Sequence, residues 1–227
     1  MATTAIDAPV IRGVRFWAST NGKKAVMAVT GVILFGFVVF HMLGNLQVFE
    51  GPEQMNFYGL ALRRFPEALW AARIILLVSV VAHIWASTLL AIQKKKARPV
   101  GYEKRKNIAS DYSSRTMYWS GPILLAFVIY HLLHMTVGVV HPDFREGLPY
   151  ENVVTAFQVW YVSAWYIFSM LLLGLHIRHG AWSAFQSLGA NHPRHTPMLK
   201  KAAMTLAIVV TGGYIAIPVA VMLGLVR

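Results

Sequence analysis

The chain has 227 residues, 56% hydrophobic and only 13% charged, where a soluble domain carries about 25% charged residues. That composition excludes an ordinary soluble domain and describes an integral membrane protein, with one domain, residues 1–227, sufficient to account for it. There is no cysteine, which excludes disulfides, thiolate-held iron–sulfur clusters, thiolate zinc sites and thioether-linked haem.

Residues 1–22 are mixed and polar. They lack an apolar core followed by a small-residue cleavage site, so no cleaved signal peptide is expected. Five apolar runs follow, at 25–49, 68–93, 117–140, 153–177 and 202–226. Each is about long enough to cross a bilayer as a helix. The second stops at Lys94-Lys95-Lys96 and the third near His141-Pro142-Asp143. Gly212-Gly213 and Pro218 interrupt the fifth, where a packed bundle tolerates a bend. Residues 50–66 and 141–152 read as short loops on one side, and 181–188 as an extension of the fourth helix along the other. Seven Trp and nine Tyr suit two interfacial belts. The expected fold class is all-α integral membrane: five transmembrane helices, the first four forming a bundle.

The net charge of +12 has a plain source in Lys- and Arg-rich loops on the cytoplasmic side. Nucleic acid is not an expected partner, because no soluble domain is present to bind it. With the N-terminus inside, the inner segments hold Arg12, Arg15, Lys23, Lys24, Lys94, Lys95, Lys96, Arg98, Lys104, Arg105, Lys106, Arg115, Arg178, Arg194, Lys200 and Lys201, which is 16 of the 21 basic residues. Glu50, Glu53, Glu67, Asp143, Glu146 and Glu151 gather outside. The bias predicts a multi-pass protein with a cytoplasmic N-terminus. Residues 94–115 offer a docking surface for a soluble partner, though a plain topology signal explains their charge equally well.

An ionisable side chain inside a span is costly and marks a functional site. Four of the runs carry a histidine: His41, His83, His131 and His176. At about 1.5 Å of rise per residue, His41 lies about 26 Å from Lys24 and His131 about 24 Å from Arg115. His83 lies about 16 Å from Lys94 by the same rise, and His176 is two residues from Arg178. The depths propose an outer pair, His41 with His131, and an inner pair, His83 with His176. Two neutral imidazoles saturate a haem iron for electron transfer, so the pattern predicts two haem b groups stacked across the membrane. Depth does not separate His131 from His134. His179 sits nearer water, and His141, His192 and His195 read as loop residues. Gly44, Gly138, Gly180, Ser79 and Ser87 lie at helical offsets that could leave room for a macrocycle, or simply pack helices. Arg73 reads either as a residue snorkelling to the outer surface or as a propionate partner. Glu67, Arg63 and Arg64 lie near the outer site, where a quinone needing protons could bind, the alternative being a quinone near the inner pair and a docked subunit. Met42 and Met135 read as core filling.

The stretches FHMLGNLQVF (40–49), HIWAS (83–87), SSRTMYWSG (113–121), FVIYHLLHMTVG (127–138) and GLHIRHGAWSAFQSLG (174–189) make nearly the whole chain resemble a known family. It resembles the cytochrome b558-type membrane-anchor subunit of succinate:quinone oxidoreductases, the five-helix, two-haem kind that includes fumarate reductase anchors. The resemblance implies haem-iron ligands at His41, His83, His131 and His176, favouring His131 over His134 and His176 over His179. It implies a flavoprotein subunit with FAD, an iron–sulfur subunit, membrane lipid and a quinone, with menaquinone expected, as partners. It leaves a higher oligomer of the complex open. The implied location is the bacterial cytoplasmic membrane. Succinate chemistry would belong to the flavoprotein. Gly174 stands where some fumarate reductase anchors carry a glutamate used in a proton path, so the resemblance does not extend that path to this chain. The alternatives are a cytochrome b anchor of hydrogenase or formate dehydrogenase type and, further off, a proton-coupled transporter.

Overall fold

A backbone that crosses lipid must satisfy its own polar groups, and an isolated segment does so only as a helix. The computed structural model describes residues 16–97 and 112–227. Among these there are helices and turns but no strand. Helix α1 is Thr20–Asn45, continued by a 3-10 turn, Leu46–Glu50. Then come α2 (Pro52–Arg63), α3 (Pro66–Lys96), α4 (Tyr112–Leu132, continued by a π-helical turn, Leu133–Val137), α5 (Pro149–Gln158), α6 (Trp160–Ser187) and α7 (Thr196–Met222). Five of them, α1, α3, α4, α6 and α7, are long and apolar enough to cross a membrane. The architecture is all-α with five such helices, as the apolar runs require.

Local chemistry sets the ends. Ser19 caps α1, its Oγ accepting from the Gly22 N–H at 3.0 Å, which satisfies an amide the helix leaves orphaned. Proline stands in the first turn of α2, α3, α5 and α7, where its missing N–H costs nothing. Lys94, Lys95 and Lys96 fill the last turn of α3 and complement its dipole. Gly138 ends the π-helical turn at φ +84°, and a Cβ there would run into the Phe144 ring.

Four expectations shift. Residues 50–66 are not a loop, because α2 occupies most of them. The run 153–177 is not one helix. It breaks at Val159, which is extended (φ −83°, ψ 107°), so α5 and α6 are separate. The carbonyl of Phe157, freed by the break, accepts from Ser163 Oγ at 2.7 Å. No Pro or Gly marks the break, so apolar character alone reads straight through it. The fourth span continues as helix to Ser187, as expected of 181–188, whereas the fifth starts at Thr196 rather than 202 and runs unbroken through Gly212, Gly213 and Pro218. Arg12, Arg15, Arg98, Lys104, Arg105 and Lys106 lie outside the described residues.

The helices pack as α1 on α3, α4 on α6 and α6 on α7, with α1 and α6 joined at a central seam. Neither α1 with α4 nor α3 with α6 is among the closely packed pairs. Two buried clusters hold the assembly. Val48, Met55, Phe127, Val153, Phe157, Tyr166 and Ile217 belong to one, and Met42, Ile177, Ala207 and Val210 to the other. Phe40, Leu77 and Val139 stay exposed, as expected where acyl chains are the solvent. A lysine-rich end of the bundle carries Lys23, Lys24, Lys94–Lys96, Lys200 and Lys201. The opposite, acidic end carries Glu50, Glu53, Glu67, Asp143, Glu146 and Glu151.

The α6–α7 contact depends on Gly174. A Cβ there would collide with Thr211 Oγ1 and reach Thr211 Cβ at 3.5 Å, and the Thr211 hydroxyl is itself buried without a hydrogen-bond partner. Overpacking typically costs about 1–3 kcal/mol, and neighbouring sites couple. Gly174→Ala is therefore expected to lower thermal stability by about that much, and Gly174→Ala with Thr211→Ala to recover most of it. A thermal melt of the two variants in detergent checks this.

Candidate functional site

The four span histidines come from α1 (His41), α3 (His83), α4 (His131) and α6 (His176). Toward the acidic end the His41 and His131 ring centroids lie 5.8 Å apart with planes at 80°, an edge arrangement. Toward the lysine-rich end the His83 and His176 rings stand 6.2 Å apart at 48°. In each couple the two helices are not closely packed, yet the side chains meet. Two imidazoles bound on opposite sides of one metal at about 2 Å each would hold ring centres about 6 Å apart. All four rings are half-buried.

The support around His83 fixes its proton. Its Nδ1 lies 3.1 Å from the Met27 carbonyl, which can only accept. Nδ1 therefore carries the hydrogen and donates it, and Nε2 keeps its lone pair. Thr30 Oγ1 stands 3.2 Å from the same nitrogen and donates its own hydrogen to the Val26 carbonyl at 2.7 Å, so it too can accept from Nδ1. This is the orientation that metal-bound histidines receive from surrounding groups. Among the described residues no protein hydrogen bond reaches either ring nitrogen of His41, Nε2 of His83, Nε2 of His131 or Nδ1 of His176.

His131 and His134 now separate. His134 is fully buried, stacked on Tyr130 at 5.2 Å and on His141 at 4.8 Å. His131 is the ring opposite His41. Their Nδ1 atoms share one hydroxyl, Tyr166 Oη, at 3.2 Å and 3.0 Å. His141 is more than a loop residue. Its Nε2 donates to the Asn152 carbonyl at 2.9 Å and its Nδ1 accepts from the Asp143 amide at 3.0 Å. His192 and His195 are exposed in the turn before α7, and His179 is half-buried on α6.

The small residues do different jobs. A Cβ on Gly44 would meet Tyr58 at 2.8 Å, so that gap is already filled by protein, and Gly138 ends a helix. A Cβ on Gly180 would meet nothing within 4 Å. Ser79 is buried, and Ser87 donates to the Ile84 carbonyl at 3.0 Å. Arg73 is exposed with its guanidinium 5.0 Å from the centre of the Trp70 ring, the contact of an interfacial arginine. Glu67, Arg63 and Arg64 are exposed. Met42 fills core against Gly213, and Met135 packs on the acidic-end cluster.

Sequence reasoning missed Met27, Thr30, Tyr166 and Tyr214, whose hydroxyl donates to the Val38 carbonyl at 2.7 Å while its ring stands 6.3 Å from His41. It also missed a cavity of about 650 Å³ at the lysine-rich end. Asn21, Lys24, Met27, Leu90, Lys94 and Ser183 are among its lining residues. Pair contacts of this kind cross between helices and leave no periodic signal.

No family model, curated protein or solved structure matches the chain.

Gly31 gives His83 its room, since a Cβ there would stand 3.4 Å from the ring Cε1. A Cβ on Gly36, further along α1, would meet nothing within 4 Å. Gly31→Leu is expected to displace His83 and to cost about 1–3 kcal/mol by overpacking, with Gly36→Leu close to neutral. Thermal midpoints of the two variants compare them directly.

Proposed function

We propose that the chain is a di-haem cytochrome b, the membrane anchor of a succinate:quinone oxidoreductase. The observation that carries the reading is the pair of imidazole couples with ring centres 5.8 Å and 6.2 Å apart, each drawn from two helices that are not closely packed. His41 and His131 would hold one haem b iron, and His83 and His176 the other. Among the described residues no cluster of three or more His, Cys, Asp or Glu could hold a metal ion. Two imidazoles alone make a poor metal site, whereas a haem would bring its own nitrogen donors and would be held by the two imidazoles of each couple. The ring nitrogens without protein partners fit that donor set. Lys24 and Lys94 in the lining of the lysine-rich cavity would supply positive charge for propionates.

When bound, the two haems supply one-electron carriers near either end of the bundle. The chain's own task is to position and tune them. Met27 and Thr30 hold His83 with its lone pair available, the α1–α6 seam keeps both couples in register, and apolar helices exclude water. Succinate oxidation would reside on a flavoprotein with FAD, joined through an iron–sulfur subunit docked at the lysine-rich end. Electrons would leave to a membrane quinone, for which menaquinone is the candidate, near the acidic end. The charge asymmetry supports a cytoplasmic N-terminus in a bacterial cytoplasmic membrane. The succinate assignment rests on the sequence resemblance, and the haem assignment on the geometry.

Reduced-minus-oxidised spectra of membranes are expected to show two low-spin b haems. His41→Ala or His131→Ala should remove one, His83→Ala or His176→Ala the other, and His134→Ala neither. Spectra without haem absorbance would overturn the reading, and haem without a co-purifying flavin subunit would move the protein to another respiratory complex. Reporter fusions after Leu188 and after Arg145 should report cytoplasmic and external positions respectively.

A further inference from the structure

Tyr166 stands on α6 with its hydroxyl between two histidines of α4. It is buried, and its ring is clamped edge-on by Phe127 at 5.0 Å and Phe157 at 4.9 Å, so the hydroxyl is held in place. A phenol has one hydrogen to give and lone pairs to receive. Facing two Nδ1 atoms, it can donate to one and accept from the other. The two arrangements are not equivalent. If the hydroxyl donates to His131, the hydrogen of that neutral ring sits on Nε2 and the ring has no lone pair there for a metal. If it accepts from His131 and donates to His134, His131 presents Nε2 as a ligand and His134 carries its hydrogen on Nε2, the buried atom that has no partner. The chain of bonds ends at that atom, because His134 meets His141 by stacking and both nitrogens of His141 are engaged elsewhere.

We propose that Tyr166 is the positioning residue of the acidic-end pair: its hydroxyl accepts the Nδ1 hydrogen of His131 and donates to Nδ1 of His134, which fixes His131 in the tautomer that offers Nε2 toward His41. The inference deepens the di-haem reading and rests on it. Neither arrangement is visible in a motif, since Tyr166 lies 35 residues from His131. A group that accepts from Nδ1–H raises the basicity of the ligand, which favours ferric over ferrous iron. Tyr166 therefore lowers the potential of the acidic-end haem, and nothing in its contacts reaches the His83–His176 couple among the described residues. Tyr214 is the internal control. It also stands beside the acidic-end pair, but its hydroxyl is spent on the Val38 carbonyl.

The test is a potentiometric titration of the full complex in membranes, wild type against Tyr166→Phe, Tyr214→Phe and His134→Leu. The acidic-end haem is identified by its loss in His41→Ala. Tyr166→Phe should raise the potential of that haem alone, by about 59 mV for a tenfold change in its ferric-to-ferrous ratio, and loosen its retention about 10–100-fold. His134→Leu removes the acceptor behind the hydroxyl and should move the potential in the same direction by less. Tyr214→Phe should leave it in place. The proposal is overturned if Tyr166→Phe keeps the haem at its wild-type potential, or if Tyr214→Phe shifts it equally. Should Tyr166→Phe shed the haem, His134→Leu decides: an upward shift supports the proposal, and an unchanged potential overturns it. Wild-type membranes without haem would instead sink the underlying di-haem reading, and that result is seen before any variant is made.

Discussion

An imidazole inside a bilayer is the constraint from which the rest follows. A spanning helix satisfies its own amides, but a ring nitrogen cannot be satisfied by its own helix in the same way. A buried polar atom without a partner costs about 1–3 kcal/mol, and a folded domain holds only about 5–15 kcal/mol in total. Of the four couple-forming rings, His176 carries such an atom, its Nδ1. In the di-haem reading, a metal shared by each couple would turn free ring nitrogens into attachment points. The packing fits this demand: α1 with α3 and α4 with α6 are tight, while α1 with α4 and α3 with α6 are not closely packed and bring histidine rings together.

The two central helices divide the work crosswise. Helix α1 gives His41 to one couple and, through Met27 and Thr30, orients His83 of the other. Helix α6 gives His176 to one couple and, through Tyr166, touches His131 of the other. In the di-haem reading each site would thus take a ligand from one central helix and its orienting group from the second. The α1–α6 seam therefore sets both sites together, and a change in its register would disturb both. The neighbouring α6–α7 contact is closed by Thr211 against Gly174, whose missing Cβ leaves the room. The side chain of Thr211 occupies that space.

Much of the architecture was legible from sequence because long apolar runs have few structural options. The depth of a histidine along a helix follows from a fixed rise, so both couples could be proposed from residue counts alone. What the counts could not supply is rotation about the helix axis. His131 and His134 lie at nearly the same depth, and only the packed structure turns one toward His41 and buries the other against His141. The break at Val159 was hidden for another reason: Ser163 repairs the freed carbonyl from within an apolar stretch. Helix α2 was read as loop because it is short and polar and borrows its stability from neighbours, as in Asn56 with the Tyr150 amide at 3.0 Å. Glycine near a ligand was a poor guide to free space, since Tyr58 already fills the gap at Gly44.

The central claim is that each couple of imidazoles grips one iron porphyrin. The most direct measurement is the haem content of the purified complex by alkaline pyridine assay, set against the amount of this chain. The account predicts two haem b per chain. A value of zero, or of one with all four histidines intact, would contradict it.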